Sequence, residues 1–197
     1  MHAVHFDLDG TLMVFDRPYA DLLADACERV LDTRDPAVAE AYSTAFFERL
    51  RPVEPNPYEV GARAAIDAAD ADADPERFVA ALRDLEYGAA TVREGMPALL
   101  GALAERPLGV VSNGVGAWQR GKLDAVGLAG RFDSVVTSYD AGVAKPAPGV
   151  FAHAAERLPA DDHTMVGDDT EADIEGARAA GWRAVHVEDV ASPADLP

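Results

Sequence analysis

Cysteine is nearly absent: Cys27 is the only one in 197 residues, so no disulfide can form within the chain. Inside a helical pattern a lone thiol reads as a small buried hydrophobe. Basic residues are scarce too, with 17 Lys and Arg against 35 Asp and Glu, for a formal charge of −18. That balance argues against nucleic acid as a partner, because a polyanion is repelled. No apolar run reaches the length of a membrane span, so no membrane partner is expected. The opening MHAVH has neither a basic segment nor an apolar signal core, and the expected location is cytoplasmic. Lysine is rarest of the charged types, present only as Lys122 and Lys145. An acidic, lysine-poor, Ala- and Asp-rich chain suits a salt-loaded cytoplasm, where screening relieves self-repulsion.

What remains is a chain 49% hydrophobic, enough for a real core. Residues 2–6 read as a short buried strand. Four helical stretches follow: PYADLLADACERVLD, PAVAEAYSTAFFERLR, PYEVGARAAIDAAD, and one within DADADPERFVAALRDLEYGA. Pro18 suits the first turn of the first helix, and Asp74 suits the N-cap of the fourth. PVEPNP, residues 52–57, breaks the chain with three prolines. No strand pattern shows in this block.

After residue 92 the rhythm changes. MPALLGALAER, GAWQRGKLDAVGL, PGVFAHAAERL and TEADIEGARAAG read as helices. They alternate with strands in LGVVSNG, FDSVVTSYDAG (strand plus loop), HTMVGDD and WRAVHVED, and ASPADLP reads as a loose tail. Such alternation implies right-handed βαβ units and a parallel sheet. The expected fold is therefore α/β: a Rossmann-like parallel core of residues 1–15 and 92–197, interrupted by a helical cap over 16–91.

In such sheets ligands sit at the carboxyl ends of the strands. The strand ends here carry Asp7, Asp9 and Thr11; Ser112 and Asn113; Lys145; and Asp168, Asp169 and Asp173. Five carboxylates gathered on one edge repel unless a cation joins them, and Mg²⁺ prefers oxygen ligands. Asp7 and Asp168 offer carboxylates, Asp9 its backbone carbonyl, while Lys145 and Ser112 suit phosphoryl oxygens. Each has a plainer reading. Asp-Gly is a common turn signal, and Lys145 alone is a surface lysine. Ser112 and Asn113 suit a helix cap, and Asp169 and Asp173 suit a first helical turn. The five histidines show no ligand spacing. Arg17, Tyr19, Arg49, Arg51, Tyr58 and Arg63 are candidate substrate contacts in the cap, each equally readable as a solvated helix face.

DLDGT, a strand ending in SNG, the lysine of GVAKPAPGVF, and VGDDTEAD occur in that order. Together they resemble the four motifs of the haloacid dehalogenase-like (HAD) hydrolase superfamily, and the helical insertion resembles its C1-type cap. The resemblance implies Asp7 as nucleophile and Asp9 as general acid and then base. It implies Mg²⁺ held by Asp7, the Asp9 carbonyl and Asp168, with Asp169 and Asp173 behind them. Ser112 and Lys145 bind the phosphoryl group, Lys145 also neutralises Asp7, and Gly10, Thr11 and Asn113 join the substrate-binding set. The implied activity is hydrolysis of a small phosphomonoester through an aspartyl-phosphate, by a monomer or weak homodimer resembling capped nucleotidases and phosphoglycolate phosphatases. A β-phosphoglucomutase-like mutase shares these motifs. A receiver-like phospho-switch does not share their order, and a 2-haloacid dehalogenase lacks the second aspartate.

Overall fold

β1 (His2–Phe6) is buried on both faces from Ala3 onward, which requires strands on both sides and helices above and below. The computed structural model describes residues 1–196; Pro197, the last residue of the expected tail, lies outside the described residues. In chain order the elements are β1, β2 (Met13–Phe15), α1 (Tyr19–Leu31), α2 (Pro36–Leu50), α3 (Pro57–Ala68), α4 (Pro75–Ala89) and β3 (Ala90–Val92). Then come α5 (Met96–Ala102), β4 (Leu108–Ser112), α6 (Gly116–Ala125), β5 (Ser134–Thr137), α7 (Ser138–Ala141), α8 (Pro148–Arg157) and β6 (Asp162–Gly167). A π-helical turn (Thr170–Glu175), α9 (Gly176–Ala179) and β7 (Arg183–His186) complete the order. Among the described residues no helix is long and apolar enough to cross a membrane.

The chain divides into two units, one of residues 1–14 and 91–196, the other of residues 15–90. In the first, five strands pair in the order β5-β4-β1-β6-β7, and the four pairings are all parallel. The chain runs outward from β1 through β4 to β5, then returns to β6 on the other side of β1. That reversal is the topological switch point at which open α/β sheets bind ligands. Register places Phe6 beside Val110 and Val166, so Asp7 leaves β1 level with the ends of its two neighbours. The Asp7 N–H closes the ladder on Val166 O at 2.9 Å.

The second unit holds the four expected helices. Pro36, Pro57 and Pro75 occupy first-turn positions, where the missing N–H costs nothing. Asp74 caps α4 by accepting from Glu76 N, whereas Pro18 stands just before α1 rather than within its first turn. Tyr42 stacks on Phe46 with centroids 5.7 Å apart and lies 5.6 Å from Phe78; Cys27 is buried.

Three local expectations need correction. Both passages between the units are strands: Asp16 N–H donates to Ala89 O and Arg93 N–H to Leu12 O, an antiparallel ribbon of β2 and β3. The loop after β5 is the helical turn α7, fixed by a reciprocal Thr137–Asp140 capping box. The expected loose tail contains a 3₁₀ turn over Pro193–Asp195, capped by Ser192 and Asp195 and followed by buried Leu196.

Candidate active site

Asp7, Asp9, Ser112, Asn113, Lys145, Asp168, Asp169 and Asp173 line one cavity of about 200 Å³ at the carboxyl edge of the sheet. The first unit alone builds it. Five carboxylates therefore share one wall with Lys145, and each is restrained differently.

Lys145 is the buried anchor. Its ammonium donates to Asp7 Oδ1 at 2.6 Å, Asp173 Oδ1 at 2.5 Å and Val111 O at 2.8 Å. An ammonium has three donors, so all are engaged by the protein. The expected phosphoryl contact from Lys145 thus requires exchanging one of these bonds, whereas its neutralisation of Asp7 is in place. Burial alone would lower the Lys145 pKa, but Asp7 and Asp173 raise it above the ordinary value. Burial pushes Asp7 up to about 7; Lys145 opposes the shift and the like charge of Asp173 adds to it. This corner is short of positive charge.

The sequence-predicted residues divide between the cavity and its supports. Asn113 was expected to meet substrate. Its amide is instead closed on the Lys145 backbone, Nδ2 donating to Lys145 O at 3.0 Å and Oδ1 accepting Lys145 N–H at 2.8 Å. Thr11, expected as a substrate ligand, is fully buried and donates to Asp168 Oδ1 at 2.8 Å, so its hydroxyl orients a carboxylate. Gly10 has φ +88°, and an added Cβ would lie 2.4 Å from Asp168 Oδ2. Its N–H donates to Met13 O and its carbonyl accepts from Arg93, so its contribution is room for Asp168 rather than a bond to substrate. Asp169 caps the π-helical turn by accepting from Glu171 N and Ala172 N, the plainer of its two readings, while still lining the cavity. Asp173, expected behind the ligands, faces the same space as Asp7 and Asp168.

Residues the motifs did not name complete the site. Gln119 Nε2 donates to Asp9 Oδ2 and to Ser112 Oγ, each at 2.7 Å, and Lys122 Nζ donates to Asp9 Oδ1 at 2.8 Å. The rarity of lysine, which singled out Lys145, pointed equally to Lys122. His186, which shows no ligand spacing in the sequence, places Nε2 2.9 Å from the Asp168 carbonyl.

A divalent cation fits this donor set. Oxygens of Asp7, Asp168 and Asp173 lie within 4.8 Å of one another, all are hard carboxylate donors, and their negative charge exceeds what Lys145 balances. Asp173 enters this group beyond the expected Asp7, Asp9 carbonyl and Asp168.

A parallel sheet with an aspartate pair at its switch point and an anchored lysine beside it makes this an α/β protein with a charged ligand cavity at the carboxyl edge of its sheet. The chain belongs to the haloacid dehalogenase-like hydrolases, whose family model matches residues 1–181. A phosphoserine phosphatase from Thermus thermophilus is 41% identical over 90 residues, 45% of this chain and 36% of that one. The matched stretches span about a third to a half of the length of such curated relatives. Among solved structures, a HAD phosphatase from Thermococcus onnurineus superposes with a TM-score of 0.69 at 27% identity, covering 94% of this chain and 86% of that one. A 2-haloacid dehalogenase from Pseudomonas syringae reaches 0.70 at 26% identity, covering 93% and 85%. The fold is thus common to both chemistries, and the site must separate them.

Proposed function

We propose that this protein is a Mg²⁺-dependent phosphatase acting on a small phosphomonoester through an aspartyl-phosphate intermediate. The observation that carries the reading is Asp9: a second carboxylate two residues beyond Asp7, opening on the same cavity. Displacing halide from carbon needs no proton donor, whereas an alcohol leaving phosphorus does. The phosphatase names of the similar proteins support the same choice.

Asp7, Asp168 and Asp173, with the Asp9 carbonyl, are proposed to hold Mg²⁺, which when bound neutralises phosphoryl oxygens and carboxylate charge. Asp7 Oδ attacks phosphorus as the bond to the ester oxygen breaks, and Asp9 delivers its proton to that oxygen. The resulting Asp9 carboxylate then takes a proton from water, whose oxygen attacks phosphorus and frees Asp7 and inorganic phosphate. Ser112 accepts from Gln119, which leaves its own proton for a phosphoryl oxygen. The Lys145 ammonium, bonded to Asp7 Oδ1, opposes the upward push of burial and so favours the ionised nucleophile. The helical unit of residues 15–90 is proposed as the cap of a C1-type enzyme, and the lysine-poor acidic chain as one suited to high salt in a cytoplasm.

The test is a phosphomonoester panel with Mg²⁺ in concentrated KCl. Hydrolysis is expected for wild type, with Asp7→Asn reduced to background. Turnover that survives both EDTA and Asp7→Asn overturns the mechanism. Chloride released from 2-chloropropionate faster than phosphate from any ester overturns the reaction class.

A further inference from the structure

Asp9 is the residue on which the reaction class turns, and two side chains outside every motif hold it. Gln119 and Lys122 stand three residues apart on α6, so they share one face of that helix. Lys122 grips Asp9 Oδ1 at 2.8 Å; Gln119 grips Oδ2 at 2.7 Å and Ser112 Oγ with the same amide nitrogen. Both clamping residues are buried, at 6% and 1% exposure, while the Asp9 side chain keeps 39% of its surface. The carboxylate is therefore held from behind and open toward the cavity. A buried ammonium is costly unless paired, so Lys122 is not an incidental neighbour. Space for the clamp is built into SNG: a Cβ added at Gly114 would lie 2.8 Å from Gln119 Cδ.

We propose that Lys122 and Gln119 are positioning residues for the proton that Asp9 gives to the leaving group. They fix the Asp9 carboxyl in one orientation, and through Gln119 they tie that orientation to Ser112 on the neighbouring strand end. The acid and a phosphoryl contact then move as one frame rather than independently. In the step concerned, the ester P–O bond breaks with its electron pair on the departing oxygen. The Asp9 proton passes to that oxygen, and the carboxylate left behind is the species that the clamp grips. This inference rests on the phosphatase reading above.

The readout is leaving-group dependence. 2,4-Dinitrophenyl phosphate expels a stable phenolate and needs no proton, whereas ethyl phosphate expels an alkoxide that does. Lys122→Met and Gln119→Leu are each expected to lower kcat on ethyl phosphate roughly tenfold or more beyond any loss on the dinitrophenyl ester, part of the ~10²–10⁴-fold that a positioned acid supplies. Asp9→Asn should show the same selectivity, and adding Lys122→Met to it should cost little more on ethyl phosphate. Mg²⁺ affinity measured by calorimetry should stay near wild type in both clamp variants. Equal losses on the two esters, additive losses with Asp9→Asn, or collapse of Mg²⁺ binding would each overturn the assignment. If Lys122→Met does not fold, Gln119→Leu alone decides by the same criteria. A wild-type enzyme inert toward both esters, or one that cleaves them with Asp7→Asn, overturns the phosphatase reading and the inference with it.

Discussion

The two ends of the same parallel sheet solve the burial of ionisable groups in opposite ways. At the carboxyl edge Asp7 and Asp173 are joined to the Lys145 ammonium in one ion-paired node. Toward the amino end of β6, His163 comes within 3.1 Å of His5, Nδ1 to Nε2, and both pack against Trp182, with the His5 and His163 centroids 4.5 and 4.6 Å away. Nearby, His2 Nε2 lies 2.8 Å from Thr164 Oγ1. Among the described residues no carboxylate pairs with His5; burial and then the neighbouring His163 depress its pKa to about 3, and burial likewise lowers His163. One edge sets its carboxylates against an opposite charge, the other holds imidazoles where burial disfavours charge. The paired edge is the one where strand ends from both sides of β1 converge.

Breaking the pairing should give the largest effect. Lys145→Met removes the sole ammonium from between Asp7 and Asp173, and losing one partner of a buried pair costs about 3–5 kcal/mol. Chemical denaturation should show that loss, and saturating Mg²⁺ should recover more stability in the variant than in wild type. Equal stability of the two proteins without Mg²⁺ would mean that the carboxyl edge is not held by its ion pairs.

The neutral edge should respond to acid. Because the folded pKa of His5 lies below the unfolded value of 6.5, the native state binds fewer protons than the unfolded one. Its contribution is complete above that value and declines as pH falls through 6.5 toward 3. Between pH 7 and pH 5 the loss is about 2 kcal/mol by linkage. Melting of wild type and His5→Leu across this window should therefore converge as pH drops. Parallel curves would show that the imidazole is not kept neutral by burial.

How much of this was legible before the structure differs between the same two edges. The parallel core was readable because βαβ alternation is long-range and repeated, and strand-end placement alone gathered the carboxylates, Ser112 and Lys145. The β2–β3 ribbon was not, since each strand has three residues, fewer than a period-two pattern needs. Nor were Gln119 and Lys122 in the site: which face of α6 meets Asp9 is set by packing after SNG, not by local periodicity. Asn113 and Thr11 lie at this strand edge, and their side chains bond the Lys145 backbone and Asp168. A residue type tells what a side chain can bond, and only neighbours brought by the fold decide what it does bond. The histidines show no ligand spacing in the sequence, and the closeness of His5 and His163 depends on β1–β6 register, which pairs Ala3 with His163.

The smallest expected effect concerns how finely the charged edge is set. Asp168 is exposed, yet its Oδ1 is held by the buried Thr11 hydroxyl at 2.8 Å, while Gly10 leaves space for its other oxygen. Thr11→Val keeps the shape of the buried side chain and removes the donor, and water can replace the lost bond to an exposed carboxylate. Stability should therefore change little. Mg²⁺ affinity should not be spared: partners that orient ligands are worth about 10–100-fold in metal binding, and the lower end is expected here because water partly compensates. Calorimetric titration of Mg²⁺ into Thr11→Val, beside Asp168→Asn as the full loss of a ligand, reads this directly. An unchanged dissociation constant in Thr11→Val with a large change in Asp168→Asn would show that the carboxylate orients itself without Thr11. No change in either would remove Asp168 from the metal site and leave the cation to Asp7 and Asp173.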